Sequence, residues 1–235
     1  MQKDRRKYSY RFEFKNGSEK TFDVCLDNVT LKILRKSKIQ PGDWTKMENF
    51  QCEHCPLNKS EHKHCPTAIE IEELIKFFSD KSSHEKVKVT VSTPERSYFS
   101  ETDLQSAVGS LMGVLMSASG CPILSKLRPM LRFHLPFSDL EETEFRVLSM
   151  FALAQLLRLK TGKEADWNMK SLVSLYEDIQ KINENFVKKL AEVVKKDASL
   201  NSVVLLNNLA TFVTFNIGSE DFSNLLKLFH AWVDD

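Results

Sequence analysis

The spacing of apolar residues changes near residue 100, and this change limits the folds open to the chain. Before that point, residues 8–14 and 87–91 alternate between apolar and polar side chains, as half-buried strands do. After it, apolar residues recur every three or four positions over long segments, as on one face of a helix. The pattern predicts an α+β protein, with N-terminal β-hairpins and one helix, followed by a C-terminal all-helical bundle. Cysteines and histidines between residues 52 and 65 add a Cys/His metal knuckle to the N-terminal part.

Local signals mark where these elements begin and turn. Asn16-Gly17 lies between two extended runs and predicts a tight hairpin turn, since both residues tolerate positive φ. Pro66 precedes a helical pattern and suits the first turn of a helix, where its missing N–H has no partner to lose. Ser138-Asp139-Leu140-Glu141 has the form of a capping box and predicts the start of a long helix.

Length and composition agree with one large domain or two small ones. The chain has 235 residues, of which 42% are hydrophobic, enough to form a core. The change in periodicity divides it into a strand-rich part with the knuckle over residues 1–100 and a helical bundle over 101–235. One continuous domain fits the same pattern.

The charge balance argues against a nucleic-acid partner. Thirty-three Lys and Arg face 32 Asp and Glu, for a net charge of +1, so no global field attracts a phosphate backbone. The longest apolar run, 107–118, is shorter than the ~20 residues that span a bilayer, and no signal-peptide pattern opens the chain. We therefore expect a cytoplasmic protein with no membrane partner.

A segment rich in cysteine and histidine, residues 52–65, predicts a metal site. It contains Cys52, Cys55 and Cys65. In a reducing compartment, clustered cysteines indicate metal binding or reactivity rather than disulfides. Two thiolates two residues apart can turn toward one ion, and a third thiolate with one imidazole completes a tetrahedral zinc set.

Three residues are candidates for the fourth metal ligand. His62 is preferred, because His62-x-x-Cys65 repeats the spacing of the first cysteine pair. His64 is an alternative, although it adjoins Cys65 and neighbouring residues seldom reach one ion together. Cys121 is another: like Cys55 and Cys65 it is followed by proline, as iron–sulfur ligands sometimes are. A fourth thiolate would favour an iron–sulfur cluster over zinc.

A second segment, residues 119–142, carries candidates for catalysis. Glycine and proline flank Cys121, which places its thiol at a helix N-terminus, where the helix dipole favours the thiolate. His134 then makes a Cys/His nucleophile pair, with Glu141 or Glu142 orienting the imidazole.

The same segment supports two further interpretations. Arg128 and Arg132 with a helix N-terminus form a candidate anion site. The plainer interpretation, which we favour, is a buried cysteine and a core histidine satisfied by a carboxylate and an arginine, since cysteine is among the most often buried residues.

Three functions from different classes are consistent with these features. The leading one is a cytoplasmic zinc protein of unknown activity, a non-enzymatic interaction or regulatory module with a protein partner. The second is a hydrolase or transferase that uses Cys121 and His134. The third is an iron–sulfur protein. The sequence specifies neither a substrate nor an oligomeric state.

Three strings carry a resemblance to a known family. They are Cys52-x-x-Cys55-Pro56-Leu57 with His62-x-x-Cys65-Pro66, then Ser119-Gly120-Cys121-Pro122, then Arg128-Pro129-Met130-x-Arg132-Phe133-His134-Leu135-Pro136-Phe137 running into Glu141-Glu142-Thr143. Over residues 20 to 215 or so, the chain resembles a bacterial family of uncharacterised proteins, a domain of unknown function. The resemblance implies no activity. It implies that the cysteine segment and residues 119–146 belong to one fold. It also implies that the family has an arginine near the positions where this chain has Lys188 and Lys189.

Overall fold

Four antiparallel strands form one sheet in the N-terminal half of the chain. The computed structural model describes residues 4–35, 40–219 and 222–234. The strands are β1 (Arg5–Phe14), β2 (Glu19–Asp27), β3 (Lys86–Ser92) and β4 (Ser97–Asp103), in the order β2-β1-β3-β4. Neighbouring strands are antiparallel throughout. The strands predicted from the alternating pattern are confirmed.

The predicted hairpin turn joins β1 to β2, but only its glycine takes a positive φ. Gly17 has φ +80° and donates its N–H to the Phe14 carbonyl at 2.9 Å, while the Phe14 N–H donates to the Ser18 carbonyl at 2.9 Å. The loop is therefore a type I turn closed by a glycine bulge, and not the two-residue type I′ turn, which needs positive φ at both central residues.

Helices dominate the chain after β4. In the described part of the chain, two helices lie between β2 and β3: α1 (Met47–Phe50) and α2 (Pro66–Phe78). The helices after β4 are α3 (Leu104–Ala118), α4 (Arg128–Arg132), α5 (Leu140–Lys160), α6 (Lys170–Val193), α7 (Ala198–Ser219), α8 (Ser223–Leu228) and α9 (His230–Val233). Short 3-10 turns cover Asp43–Thr45 and Leu124–Leu127. A sheet followed by a mostly helical region confirms the α+β class.

Local sequence sets the starts of two helices. Pro66 lies in the first turn of α2, as predicted, with Cys65 at the N-cap. Helix α5 is capped one residue later than predicted, by Asp139. Its carboxylate accepts from the Glu142 N–H at 2.8 Å, and the Glu142 carboxylate accepts from the Asp139 N–H at 3.0 Å. This reciprocal pair satisfies two N–H groups that a helix start otherwise leaves unbonded.

One continuous set of buried side chains joins the sheet to the helices. Tyr8, Tyr10 and Phe12 on β1 are fully buried. The ring of Phe12 lies 5.2 Å from that of Phe78 on α2, measured between centroids. Helix α7 packs against both α3 and α6. The division of the chain into two domains at residue 100 stays a prediction.

Helix α7 is long and apolar enough to cross a membrane, and is the one described helix that meets both conditions. Sequence analysis did not single it out. Its buried residues include Val203, Ala210 and Val213, on the side that packs against α3 and α6. Core helices of soluble proteins pass the same test of length and composition, so no membrane location follows.

Replacing Phe12 with alanine tests whether β1 carries the core. Phe12 is fully buried, so Phe12→Ala should lower the free energy of unfolding by about 3–5 kcal/mol. Chemical denaturation measures the change. Phe99 on β4 is 65% exposed, and Phe99→Ala is the matched control, expected to stay within about 0.5 kcal/mol of the parent. Equal effects would contradict this assignment of the core.

Candidate metal centre

Four cysteines from three segments of the chain line one small cavity. Cys52 and Cys55 lie in the loop after α1, Cys65 lies at the start of α2, and Cys121 follows α3. The cavity has a volume of about 20 Å³, and a site for one water molecule needs about 10–15 Å³. It therefore has room for a single small occupant. Cys25, on β2, does not line it.

Apolar side chains form most of the remaining wall. They are Met47, Phe50, Leu57, Pro66, Ile182 and Phe186. The rings of Phe50 and Phe186 meet edge to face, with centroids 4.5 Å apart, which attaches α6 to the cysteine loop. Apolar walls lower the local dielectric and strengthen any charge interaction inside the cavity.

A tight turn brings the first two cysteines together. The Cys55 N–H donates to the Cys52 carbonyl at 3.0 Å, so the chain between them curls and both thiols reach the same cavity. Asn185 on α6 supports this turn through its amide Nδ2, which donates to the Phe50 carbonyl at 3.1 Å and to the Cys52 sulfur at 3.5 Å.

Backbone N–H groups point at the other two sulfurs. Cys65 accepts hydrogen bonds from the N–H groups of Thr67 and Ala68 in the first turn of α2. The sulfur of Cys121 accepts hydrogen bonds from the N–H groups of Ile123 and Leu124 and from the Thr67 hydroxyl. Hydrogen bonds of this kind orient a sulfur and favour its charged form.

The absence of a side chain at Gly120 lets Cys121 approach α2. A Cβ at this position would lie 3.1 Å from the Cβ of Pro66, closer than most side chains tolerate. The hydroxyls of Thr67 and Ser119 are hydrogen-bonded at 2.8 Å just beside this contact. The end of α3 is thereby held against the start of α2, and Cys121 shares a cavity with Cys65.

Burial controls the charge of these thiols. It raises the pKa of Cys52 to about 11 and that of Cys65 to about 12, and it also raises the pKa of Cys121. Neighbouring thiols add to each shift, because two negative charges in one cavity repel. At neutral pH the three thiols are therefore protonated unless a cation offsets their charge.

Arg128 brings one positive charge close to Cys121. Its guanidinium donates to the Ser119 carbonyl, while its Nε is buried without a hydrogen-bond partner. Burial lowers the pKa of Arg128, and the electrostatic effect of Cys121 opposes that shift. An arginine in this position stabilises negative charge on the sulfurs.

The structure places His62 outside the cavity and Cys121 inside it. His62 is exposed in the loop before α2. His64 does not line the cavity either, because its Nδ1 is hydrogen-bonded to the Thr45 hydroxyl at 2.7 Å. Of the three candidates for the fourth ligand, only Cys121 joins the other cysteines, and the preference for His62 has no support in this geometry.

The thiols share the cavity without standing in a coordination arrangement. Over residues 4–35, 40–219 and 222–234, no group of three or more His, Cys, Asp or Glu side chains is arranged to hold a metal ion. A zinc–sulfur bond is about 2.3 Å long, so the sulfurs would have to converge around an ion. The metal knuckle is therefore a proposal rather than an observation.

Cys121 and His134 do not form a pair. The Nε2 of His134 is hydrogen-bonded to the Tyr10 hydroxyl, which also bonds the Ser110 hydroxyl at 3.0 Å. Burial, together with the nearby positive charge of Arg146, lowers the pKa of His134 to about 3. The imidazole is neutral at physiological pH and half-buried against the rings of Tyr8 and Tyr10. Its partner is a tyrosine hydroxyl and not the carboxylate that the plainer interpretation gave it.

The remaining candidates of this segment have separate partners. Glu142 is held in the α5 capping box, and Glu141 is exposed. Arg132 donates to the side-chain oxygen of Asn28 at 2.6 Å, whereas Arg128 bonds to Ser119 at the cysteine cavity. The two arginines, at opposite ends of α4, thus have different partners. They do not converge on one anion site.

A second cavity, of about 140 Å³, lies beside α6. It is lined by Trp44, Asn49, Lys189, Glu192 and Val193. Lys189 is one of the two lysines found where the family resemblance implied an arginine, and its ammonium lies 3.6 Å from the Glu192 carboxylate. None of the predicted metal ligands or catalytic residues lines this second cavity.

Comparison with known proteins gives a match over most of the chain. A family model described as a domain of unknown function, DUF6901, matches residues 8–230. No curated protein and no solved structure matches. The resemblance to a domain of unknown function is thus confirmed, while the bacterial source and the three strings stay predictions.

The neutral state of His134 can be tested through the pH dependence of stability. The pKa of His134 is about 3 in the folded state and near 6.5 in the unfolded state. Between these two pH values only the unfolded state binds the proton, so a falling pH favours unfolding. Wild type should therefore lose about 2 kcal/mol more than His134→Gln between pH 7 and pH 5, by chemical denaturation. Exposed His84 provides the control, His84→Gln, which should follow wild type. A His134→Gln curve parallel to wild type would show that the imidazole is not buried in its neutral form.

Proposed function

Because the chain belongs to the family described as a domain of unknown function (DUF6901), we propose its function from geometry: it is a zinc-binding protein of structural type. Cys52, Cys55, Cys65 and Cys121 are the proposed ligands. The observation that carries the proposal is their meeting at one small cavity with apolar walls.

The donor set fits zinc and argues for a structural role. Soft thiolate ligands in a tetrahedral set suit zinc or an iron–sulfur centre. Four protein ligands leave no open position for water or substrate, as in structural zinc sites. A closed ligand set supports a non-enzymatic module. Its proposed role is interaction or regulation through a protein partner, in a compartment that keeps cysteines reduced.

The size of the cavity favours one ion over a cluster. About 20 Å³ accommodates a single ion, whereas several irons with bridging sulfides would have to displace the walls. Phe50 and Phe186 are almost fully buried there, and close packing makes such displacement costly. An iron–sulfur centre is the second candidate, favoured by the proline after Cys55, Cys65 and Cys121.

Bound zinc would supply the positive charge that the buried thiols lack. Four thiolates around a divalent ion leave a net charge of −2, and Arg128 offsets part of it from beside Cys121. The ligands come from the loop after α1, the start of α2 and the segment after α3. Metal binding free energy would therefore become folding free energy, because the ion would tie these segments together.

Metal analysis of cysteine variants tests the ligand set. Freshly purified wild type should contain one zinc per chain, and Cys121→Ser should lose zinc and melt at a lower temperature. Cys25 lies outside the cavity, so Cys25→Ser is the matched control and should retain zinc. His62→Ala should retain it as well.

Other results would redirect the assignment. Zinc loss in His62→Ala with retention in Cys121→Ser would restore the histidine ligand. A brown protein with iron and sulfide would establish the cluster. Wild type purified without any metal, and unaffected in its melting temperature by added zinc, would refute the proposal.

The role of Arg128 gives an independent prediction. Arg128→Met removes the charge beside Cys121 and should weaken zinc binding roughly 10-fold or more, the scale found for residues that support metal ligands. Competition with a chromogenic chelator measures the affinity. Lys126 is an exposed cation two residues earlier, and Lys126→Met should leave the affinity unchanged. Equal affinities in both variants would remove Arg128 from the site.

A further inference from the structure

Helix α5 leaves most of its apolar side chains uncovered. Val147 and Gln155 are its only buried residues. In its C-terminal half, Leu153, Leu156 and Leu157 are each about half exposed. A helix that is apolar on several sides is normally buried, and monomeric proteins rarely expose large contiguous apolar patches. Among the residues that the structure describes, none therefore covers this part of α5.

The uncovered residues follow a helical repeat. Phe145, Ser149, Ala152, Leu156 and Leu159 are all exposed and lie three or four positions apart, so they share one face of α5. We call this set the α5 stripe. Repeats of this spacing form the seam between paired helices.

We propose that the α5 stripe binds the α5 stripe of a second copy of this chain, with the two helices antiparallel. A two-fold axis between Met150 and Phe151 relates the copies. This symmetry places Phe145 opposite the partner's Leu156, and Ser149 opposite the partner's Ala152. The apolar pair of Phe145 and Leu156 then meets on each side of the axis, small residues at the axis let the helices approach closely, and Leu159 lies opposite the partner's Glu142. A two-fold interface must be self-complementary in this way.

The charges at the ends of α5 favour the same arrangement. Its first turn carries Glu141 and Glu142, and its last turn carries Arg158 and Lys160. The antiparallel register places Glu141 beside the partner's Lys160, whereas a parallel register would oppose like charges. Within the described part of the chain, neither Glu141 nor Lys160 takes part in an ion pair. Only a second copy necessarily brings a stripe and charges that match in this order.

Neighbouring helices widen the surface. Phe229, between α8 and α9, stacks on Phe145 with centroids 6.2 Å apart, and Trp232 on α9 is 84% exposed. A stable interface covers about 800 Å² on each partner, more than the stripe of one helix supplies. The apolar side chains of α8 and α9 extend the surface beside the N-terminal half of α5.

Sedimentation velocity over a range of concentrations tests the proposal. Wild type should sediment as a dimer, and Leu156→Glu should raise the dimer dissociation constant by roughly tenfold or more, because two leucines lose their burial. Val29, in the loop after β2, is 88% exposed, so Val29→Glu is the matched control and should remain dimeric. Both substitutions are at exposed positions, and unchanged thermal melting at high dilution would confirm that folding is intact.

Charge reversal tests the register. Glu141→Lys and Lys160→Glu should each weaken the dimer, since each creates two like-charged pairs across the interface. The double variant should recover the wild-type dissociation constant. A wild type that is monomeric at every concentration, a dimer unaffected by Leu156→Glu, or a double variant without recovery would each overturn the antiparallel α5 pairing.

Discussion

The contact between the end of α3 and the start of α2 determines where the candidate site can form. At Gly120 the backbone lies so close to Pro66 that a Cβ would be 3.1 Å from the proline Cβ. The hydroxyl pair of Thr67 and Ser119 fixes the same contact from within the protein. Because Cys65 and Cys121 adjoin these residues, the packing of two helices also sets the distance between two thiols. The cavity is thus a consequence of how the strand-rich and helical parts meet.

Burial then makes the cavity chemically demanding. Apolar walls leave the cysteines half-buried, and this burial raises the pKa values of Cys52, Cys65 and Cys121. In the absence of a cation, the thiols remain protonated, and their hydrogen bonds from backbone N–H groups contribute little. With a cation bound, the same N–H groups and Arg128 would all stabilise the negative charge of the thiolates. The same geometry that disfavours free thiolates would therefore stabilise metal-bound ones.

Sequence patterns predicted the features that depend only on residues close together in the chain. Alternation identified the strands, and Pro66 identified the start of α2, because both signals act within a few residues. Cys52, Cys55 and Cys65 could be grouped since one loop carries them. The position of Cys121 depends instead on a helix contact between distant segments, and spacing alone could not choose it over His62. One interpretation paired His134 with Cys121, but α4 ends just before His134 and leaves it against Tyr10, a tertiary contact that no local pattern encodes.

The uncovered face of α5 has consequences for the behaviour of the whole chain. A net charge of +1 provides almost no long-range electrostatic repulsion to oppose contact between the exposed apolar surfaces of two copies. Leucines alone would make such contact indiscriminate, because apolar burial has no preferred direction. Small residues near Met150 and opposite charges at the two helix ends restrict it to one register. The near-neutral composition therefore favours self-association, and the ends of α5 supply the specificity that composition lacks.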